Sequence, residues 1–239
     1  APRPRGACVP RPPLCDAEQT PDPAVCVEPC AAAMAVTVGP VGELPAWTGG
    51  SVAMAPIVLP LDDDNCDGVV DGRDIPEVVF TTQASASVNE GGTLVAASLV
   101  DGAWVTRWSA ALTDPGVDPG RELAGGDIDG VPGNEIVAVA GAGKIIALRA
   151  DGTLMWTSVS QGGGVFASIV DLHQDGNPEV LTPNVVLDGK TGTVEVSLDG
   201  GYVNTAADLD GDGQLDIVHA VGAYNAAGGV MAKTGLEGA

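Results

Sequence analysis

The stretch that decides the fold runs from residue 208 to residue 218 and reads Asp-Leu-Asp-Gly-Asp-Gly-Gln-Leu-Asp-Ile-Val. Its first nine residues place an oxygen-bearing side chain at every odd position and a glycine at position 6. Such spacing lets a short loop wrap one hard cation, and the glycine permits the sharp bend. The β-branched Ile217 and Val218 that follow favour a strand. This stretch therefore predicts a cation-binding loop that leads directly into a β-strand.

Three further segments of the chain repeat this spacing. They begin at Asp63, Asp127 and Asp171, and a β-branched run follows each of them. The second loop has Val131, which offers no side-chain oxygen, at position 5, and the third has His173, a poor ligand for calcium, at position 3. One such loop alone is often a simple Asx turn, whereas four in one chain indicate a repeated cation site.

The candidate metal ligands are the residues at positions 1, 3, 5, 7 and 9 of each loop, with position 12 added in the first loop. Position 7 contributes its backbone carbonyl. Ca²⁺ accepts more oxygen ligands in looser geometry than Mg²⁺ does, and metals that prefer thiolate or imidazole lack their ligands here. The sequence therefore predicts up to four Ca²⁺ ions, held by Asp63, Asn65, Asp67, Val69, Asp71 and Asp74, by Asp127, Asp129, Val131, Gly133 and Glu135, by Asp171, His173, Asp175, Asn177 and Glu179, and by Asp208, Asp210, Asp212, Gln214 and Asp216.

The acidic composition agrees with these sites. The formal net charge is −22, and half of the 32 acidic residues lie in the four loops. Clustered carboxylates repel one another unless a cation neutralises them, although a solvated acidic surface would give the same net charge. Nucleic acid is disfavoured as a partner, because phosphate binding needs a basic surface.

Short hairpins recur between the acidic loops. Asp101-Gly102, Asp151-Gly152 and residues 188–192 each separate two apolar runs, and a glycine there permits the positive φ of a tight turn. Many glycines and prolines with 3% aromatic residues favour short strands over helices. We predict an all-β fold: a β-propeller-like array of about four short four-stranded blades with calcium loops over residues 46–239, preceded by a Cys/Pro-rich arm at residues 1–45.

Residues 208–218 closely resemble the calcium loop of FG-GAP and VCBS repeats, which are the blades of integrin-α-like seven-bladed propellers. The resemblance covers roughly residues 53–239 and extends to all four loops. It implies that calcium lies in the loop between two neighbouring strands of a blade. The first loop departs from the pattern, because it is longer and Asp74 makes it similar to an EF-hand loop inserted into a blade. The implied ligand roles carry over to Asp208, Asp210, Asp212, the Gln214 carbonyl and Asp216, to Asp127, Asp129 and Glu135, and to Asp171, Asp175 and Glu179.

The N-terminal arm holds most of the cysteines. Cys-dense, Pro-rich segments form disulfides in oxidising compartments, and the spacing here lacks the Cys-x2-Cys pair of a zinc knuckle. No apolar run approaches the ~20 residues that a membrane span requires. We therefore expect a protein that is secreted or displayed at the cell surface. Its arm should carry two disulfides, of open pairing, among Cys8, Cys15, Cys26 and Cys30, leaving Cys66 apart.

The sequence favours a binding module over an enzyme. Its only histidines are His173 and His219, and it contains no Gly-x-Ser-x-Gly nucleophile motif. We expect an extracellular calcium-binding β-propeller-type module for protein or glycan binding, adhesion or surface assembly. The alternative is part of a secreted polysaccharide-degrading enzyme. Trp108 and Trp156 lie at similar points of their hairpins, which favours packing between blades, with a sugar-binding platform as the other interpretation.

The number of loops also bears on assembly. Four calcium loops mark about four blades, fewer than the seven of the family that the chain resembles. An open array would leave apolar faces and strand edges exposed. We therefore expect either a longer native polypeptide or association into a homo-oligomer or larger assembly, with a protein or glycan partner on a surface or in the matrix.

Thiol labelling of the unreduced, denatured protein tests the expected disulfides. One reactive thiol at most, that of Cys66, should be labelled, because the other four cysteines are paired. The reduced protein is the control and should label at all five cysteines. Labelling of all five before reduction would exclude both the bridges and the secreted assignment.

Overall fold

The computed structural model describes residues 45–52, 54–83, 91–113, 115–159, 166–200 and 204–233. Apart from Pro45, the arm predicted over residues 1–45 lies outside the described residues, as do its four cysteines. The two-part domain division and the two disulfides therefore stay predictions. Cys66 lies within the described part, where it is an exposed free thiol.

Seventeen strands form the described part of the chain, and one short 3-10 turn at Gly141–Gly143 is its only helical element. The all-β prediction is confirmed. The strands are β1 (Ser51–Val52), β2 (Ile57–Leu59), β3 (Glu77–Gln83), β4 (Gly92–Val100), β5 (Ala103–Ala110), β6 (Leu123–Gly126), β7 (Glu135–Ala140), β8 (Lys144–Leu148), β9 (Leu154–Thr157), β10 (Ser168–Val170), β11 (Glu179–Leu181), β12 (Val185–Asp188), β13 (Val194–Ser197), β14 (Asn204–Ala207), β15 (Asp216–His219), β16 (Gly222–Tyr224) and β17 (Val230–Lys233).

These strands form four antiparallel sheets in which sequence neighbours pair. The first sheet holds β1 to β5, and β1 and β2 pair to opposite ends of β3. Its strands β2, β3, β4 and β5 correspond to the first, second, third and fourth strands of the other sheets. The second runs β6-β7-β8-β9, the third β10-β11-β12-β13 and the fourth β14-β15-β16-β17. The first strands of successive sheets lie side by side, β2 by β6, β6 by β10 and β10 by β14. The expected blade-like units are therefore present, with four strands in three sheets and five in the first. Within the described residues they form an array without a closed ring.

One register repeats in all four sheets. The second strand begins with an acidic residue, and the residue two positions later pairs with the third strand. In that pair, the third-strand residue also pairs with a residue of the fourth strand. In every sheet, the register between the third and fourth strands shifts directly after this third-strand residue. The acids are Glu77, Glu135, Glu179 and Asp216, and the fourth-strand residues are Trp108, Trp156, Val196 and Ala232.

The core lies between successive sheets, because the central strands bury both of their faces. In β7, Ile136, Ala138 and Ala140 pack towards the first sheet, while Val137 and Val139 pack towards the third. Side chains alternate between the two faces of a strand, so a strand between two sheets becomes continuously apolar. This explains why the β-branched runs after the acidic loops lack an alternating polar pattern.

Tryptophan joins neighbouring sheets by packing on glycine. A β-carbon at Gly152 would lie 2.7 Å from the ring of Trp108, and one at Gly192 would lie 2.5 Å from that of Trp156. The indole N–H of Trp108 also donates to the Ala150 carbonyl at 2.7 Å. Both tryptophans thus pack on the hairpin turn of the next sheet, as their matching sequence positions predict.

The outer face of the first sheet is covered by the segment that precedes β1. Trp47 packs edge-on against Phe80, with ring centroids 4.8 Å apart. Val95 and Ala97 are buried in the same cluster. The indole N–H of Trp104 donates to the Pro45 carbonyl at 2.6 Å, which fixes this segment on the sheet.

In the part of the chain that the structure describes, no helix has the length and apolarity that would carry it across a membrane.

The tryptophan–glycine contact predicts different costs for two similar glycine substitutions. Gly102 and Gly152 both follow an aspartate in a hairpin turn, with φ of 78° and 79°. Open space surrounds a β-carbon at Gly102, whereas Trp108 occupies it at Gly152. In chemical denaturation, Gly102→Ala should lower the free energy of unfolding by about 1 kcal/mol through positive-φ strain. Gly152→Ala should lose about 1–3 kcal/mol more, because the indole must shift; equal losses would contradict the contact.

Candidate metal centre

All four acidic loops occupy the same place in the fold. Each joins the first strand of a sheet to the second, at residues 60–76, 127–134, 171–178 and 208–215. Asn134 in the second loop donates from its amide to the Pro60 carbonyl of the first at 2.6 Å. Gln174 in the third donates in the same way to Gly213 of the fourth at 3.0 Å. The first and second loops therefore lie side by side, as do the third and fourth.

A buried carboxylate closes each loop. It belongs to the first residue of the second strand, and it accepts the backbone N–H of the second residue after the first strand. These four side chains are at most 4% exposed. Charged groups so deeply buried require hydrogen bonds. The donor–acceptor distances are 2.9 Å from Leu61 N to Glu77 Oε2, 3.0 Å from Ile128 N to Glu135 Oε2, 2.7 Å from Leu172 N to Glu179 Oε2 and 2.9 Å from Leu209 N to Asp216 Oδ2.

The second loop brings three predicted ligands together. One carboxylate oxygen from each of Asp127, Asp129 and Glu135 lies within 4.8 Å of the others. Burial raises the pKa of Glu135 to about 7; the N–H of Ile128 opposes this rise, and the charges of Asp129 and Asp127 add to it. Val131 is exposed, as expected of a residue that contributes no side-chain ligand.

The fourth loop brings together Asp208, Asp210 and Asp212, again with carboxylate oxygens within 4.8 Å of one another. Backbone N–H groups of the loop orient all three: Gly211 donates to Asp208 at 2.7 Å, Asp212 to Asp210 at 3.1 Å, and Gln214 to Asp212 at 2.8 Å. Asp216, the predicted ligand at position 9, lies outside this group of three and closes the loop instead.

The third loop has similar backbone geometry but a different cluster. Asp171 accepts the N–H groups of Asp175 and Gly176, each at 2.9 Å. Hydrogen bonds from the backbone and side chain of Asn177 lower the pKa of Asp175.

His173 departs from the predicted ligand arrangement of the third loop. Its Nε2 lies 3.9 Å from Glu195 of β13, a residue that the spacing analysis did not include. His173, Glu179 and Glu195 offer ligand atoms within 4.8 Å of one another, so the histidine lies beside Glu179 of β11 and Glu195 of β13. Burial raises the pKa of the Glu179 carboxyl in this group.

The first loop contains an insertion. Asp63 accepts the N–H groups of Asp67 at 3.0 Å and Gly68 at 2.7 Å, the same relative positions that Asp171 accepts in the third loop. The predicted position-12 ligand, Asp74, is 4% exposed and accepts N–H groups from Asn65 and Asp71. The inserted turns thus have cation-loop geometry of their own.

The loop-closing acid of the first sheet is Glu77, which the spacing analysis missed. The insertion places it sixteen residues after its donor Leu61, against seven in the other sheets. Asp62, Asp64 and Glu77 form a further carboxylate group within 4.8 Å, and Arg107 of β5 contacts it. The signal that could have revealed Glu77 is the sequence 76–79, Pro-Glu-Val-Val, which matches 178–181, Pro-Glu-Val-Leu.

The second and fourth loops fit a hard divalent cation. Each converges three carboxylate oxygens, and the carboxylates repel one another without a counter-charge. The fit is to oxygen ligands, the donor set that Ca²⁺ and Mg²⁺ share.

Comparison with known proteins places the fold. No protein-family model matches the sequence, and no curated protein matches it. The structure is similar to the V. cholerae biofilm matrix protein Bap1, with a TM-score of 0.64 and 26% identity over 76% of this chain and 30% of that one. It is also similar to rhamnogalacturonan lyase YesW (TM-score 0.53, 21% identity) and to a Bacillus licheniformis rhamnogalacturonan lyase (TM-score 0.52, 22% identity), each over 66% of this chain and 29% of the lyase. The chain therefore spans less than a third of the length of these proteins.

These similarities correct the expectation that the protein is not an enzyme. Rhamnogalacturonan lyases share the fold. The expectation relied on missing nucleophile motifs, and an enzyme that uses another reaction class carries no such motif. The exclusion of catalysis is therefore wrong as an inference from sequence.

The loop-closing carboxylate should stabilise the fold without any metal. In excess chelator, Glu179→Ala should lower the free energy of unfolding by about 2–3 kcal/mol, because the buried N–H of Leu172 loses its acceptor. Glu179→Gln keeps an acceptor oxygen and should cost about 1 kcal/mol. Glu195→Ala, at a more exposed acid nearby, is the control and should stay within about 0.5 kcal/mol. Equal effects of Glu179→Ala and Glu195→Ala in urea denaturation would refute this role.

Proposed function

We propose that this chain is a calcium-binding, β-propeller-type module of the FG-GAP/VCBS kind that binds glycans or proteins in an extracellular matrix. The observation that carries the proposal is the repeated loop, closed by a buried acid and set beside its neighbours at one edge of the sheets. Such an edge presents oxygen ligands for cations and exposed loop backbone for a partner.

Calcium is the cation that the loops favour. The loops offer carboxylates, amides and backbone carbonyls, and they differ in length and in their acidic positions. Ca²⁺ tolerates such varied oxygen cages, whereas Mg²⁺ demands a near-ideal octahedron and retains its waters. A bound ion would supply counter-charge, and the residues that would hold it are Asp127, Asp129 and Glu135 in the second loop and Asp208, Asp210 and Asp212 in the fourth.

The arrangement of the sheets supports the propeller-type assignment. In a propeller, four-stranded antiparallel blades stand side by side around a channel, with successive blades packed face to face. Here the first strands of neighbouring sheets adjoin, and separate clusters of buried residues fill the space between sheets. Trp108 and Trp156, which cross from one sheet to the next, act in this packing, which disfavours the sugar-platform interpretation for them.

The matrix role draws on the similarity to a biofilm matrix protein, at 26% identity. A protein that works outside the cell meets calcium at concentrations at which even weak loops fill. The loop edge, rather than the tryptophans, is then the surface that we assign to a glycan or protein partner.

A second candidate function is participation in a secreted polysaccharide-degrading enzyme. The observation that favours it is the fold shared with three rhamnogalacturonan lyases. Where the partner is a polysaccharide, the two candidates differ in whether the polymer is cut.

Calcium removal tests the proposal. The chain should bind insoluble neutral or acidic polysaccharide, or matrix extract, in Ca²⁺ and lose that binding in excess chelator, because the loops lose their counter-charge and order. Its melting temperature, followed by circular dichroism, should fall in chelator, with poor recovery in Mg²⁺. Reducing ends released from the polymer are measured in the same samples.

Paired variants separate the loop from general acidity. The double variant Asp210→Asn and Asp212→Asn should melt earlier in Ca²⁺ and respond less to chelator than the parent chain. Asp101→Asn, in a hairpin turn, removes one exposed charge outside the loops and should behave as the parent chain does. A melting curve unchanged by chelator would overturn the calcium assignment, absence of binding to every polymer and extract would overturn the matrix role, and released reducing ends would favour the enzyme.

A further inference from the structure

The carboxylate group of the first sheet is the counterpart of the one in the second loop. Glu77 and Glu135 each begin the second strand of a sheet and accept the N–H of Leu61 and Ile128. Asp62 directly follows Leu61, as Asp129 directly follows Ile128. The group Asp62, Asp64 and Glu77 therefore lies at the same loop closure as Asp127, Asp129 and Glu135, with Asp64 at the position of Val131 and Pro60 at that of Asp127.

The first-sheet group differs because a guanidinium lies on it. Nη2 of Arg107 is 2.8 Å from Asp64 Oδ1 and 3.1 Å from Asp62 Oδ2, and Nε is 3.8 Å from Glu77 Oε1. Exposure of the side chains falls from 55% at Asp62 to 15% at Asp64 and 1% at Glu77. The contact thus reaches from solvent to a buried carboxylate, unlike an ordinary surface ion pair.

The shared register shows that only the first sheet has a basic residue at this position of its fourth strand. Arg107 precedes Trp108, the fourth-strand residue that recurs in the pairing of every sheet. The residues at the same place are Met155 in the second sheet, Glu195 in the third and Met231 in the fourth. The second and fourth sheets, whose loops converge three carboxylates, have an uncharged residue there.

We infer that the guanidinium of Arg107 is the resident cation of the first-sheet carboxylate group. It occupies the place that a divalent ion takes in the second and fourth sheets. Arginine suits this place, since its planar fork donates to several carboxylate oxygens and keeps its charge. Removal of Arg107 uncovers a divalent-cation site. The inference rests on the proposed calcium role of the other loops, and it leaves the inserted turns at Asp63 as the place for an ion in the first sheet.

Ion counting on Arg107→Met tests the inference, with methionine chosen because the second and fourth sheets carry it. Native mass spectrometry in Ca²⁺ should find one ion more per chain in Arg107→Met than in the parent chain. The drop in melting temperature on adding chelator should also be larger for this variant. Arg107→Lys keeps the charge and should leave the count unchanged. Arg121→Met removes a half-exposed arginine paired with Asp118, away from the loops, and should do the same.

The same count in Arg107→Met and in the parent chain would overturn the inference. A second variant keeps the test decisive if Arg107→Met does not fold. Asp62→Asn with Asp64→Asn should bind as many ions as the parent chain, because no ion occupies this group; loss of one ion would overturn the inference. A parent chain that binds no Ca²⁺ would instead refute the proposed calcium role and with it the comparison to the second and fourth sheets. A gain of one ion in Arg107→Met would then still support a cation site at Asp62, Asp64 and Glu77.

Discussion

The structure depends on one hydrogen bond, the bond from a loop N–H to a buried carboxylate at the start of each second strand. In every sheet the donor is the second residue after the first strand, and the acceptor is the first residue of the second strand. A carboxylate that is so buried needs such a donor, so the bond fixes where the loop ends and which residue opens the strand. It also explains why the first loop tolerates an insertion, because the added turns leave both ends of the loop joined.

Ionising the same buried carboxylate close to other acids costs free energy, and the sheets place different groups beside it. Burial of the acid raises the cost of keeping it ionised, and two nearby carboxylates add to that cost, as the raised pKa of Glu135 shows. The first sheet places Arg107 on its group, and the third places His173 beside Glu179 and Glu195. In the second loop the ammonium of Lys190 donates to the backbone carbonyl of Asp129 at 3.1 Å. The convergence of three carboxylates is the physical basis for assigning ions to the second and fourth loops.

Sequence alone predicted the features that are local. The Asp-Gly turns, the strands after the loops and the oxygen spacing each lie within about ten residues, and the structure places the turns and strands as expected. Glu77 was missed because the insertion broke the spacing by which the other three acids were found. Arg107 was missed because it meets Asp62 across 45 residues, a contact fixed only by the pairing of β3, β4 and β5. Glu195 meets His173 in the same way, through the pairing of β11, β12 and β13.

Apolar packing between sheets decreases along the array, whereas the loop richest in aspartate lies in its last sheet. The residue that crosses to the next sheet is Trp108, then Trp156, then Val196, and its counterpart in the fourth sheet is the exposed Ala232. Apolar contact weakens along that series, because a smaller side chain buries less surface. The fourth loop, by contrast, is the only one with an aspartate at positions 1, 3, 5 and 9 together. A cation held by Asp208, Asp210 and Asp212 would therefore supply counter-charge in the sheet where apolar packing contributes least.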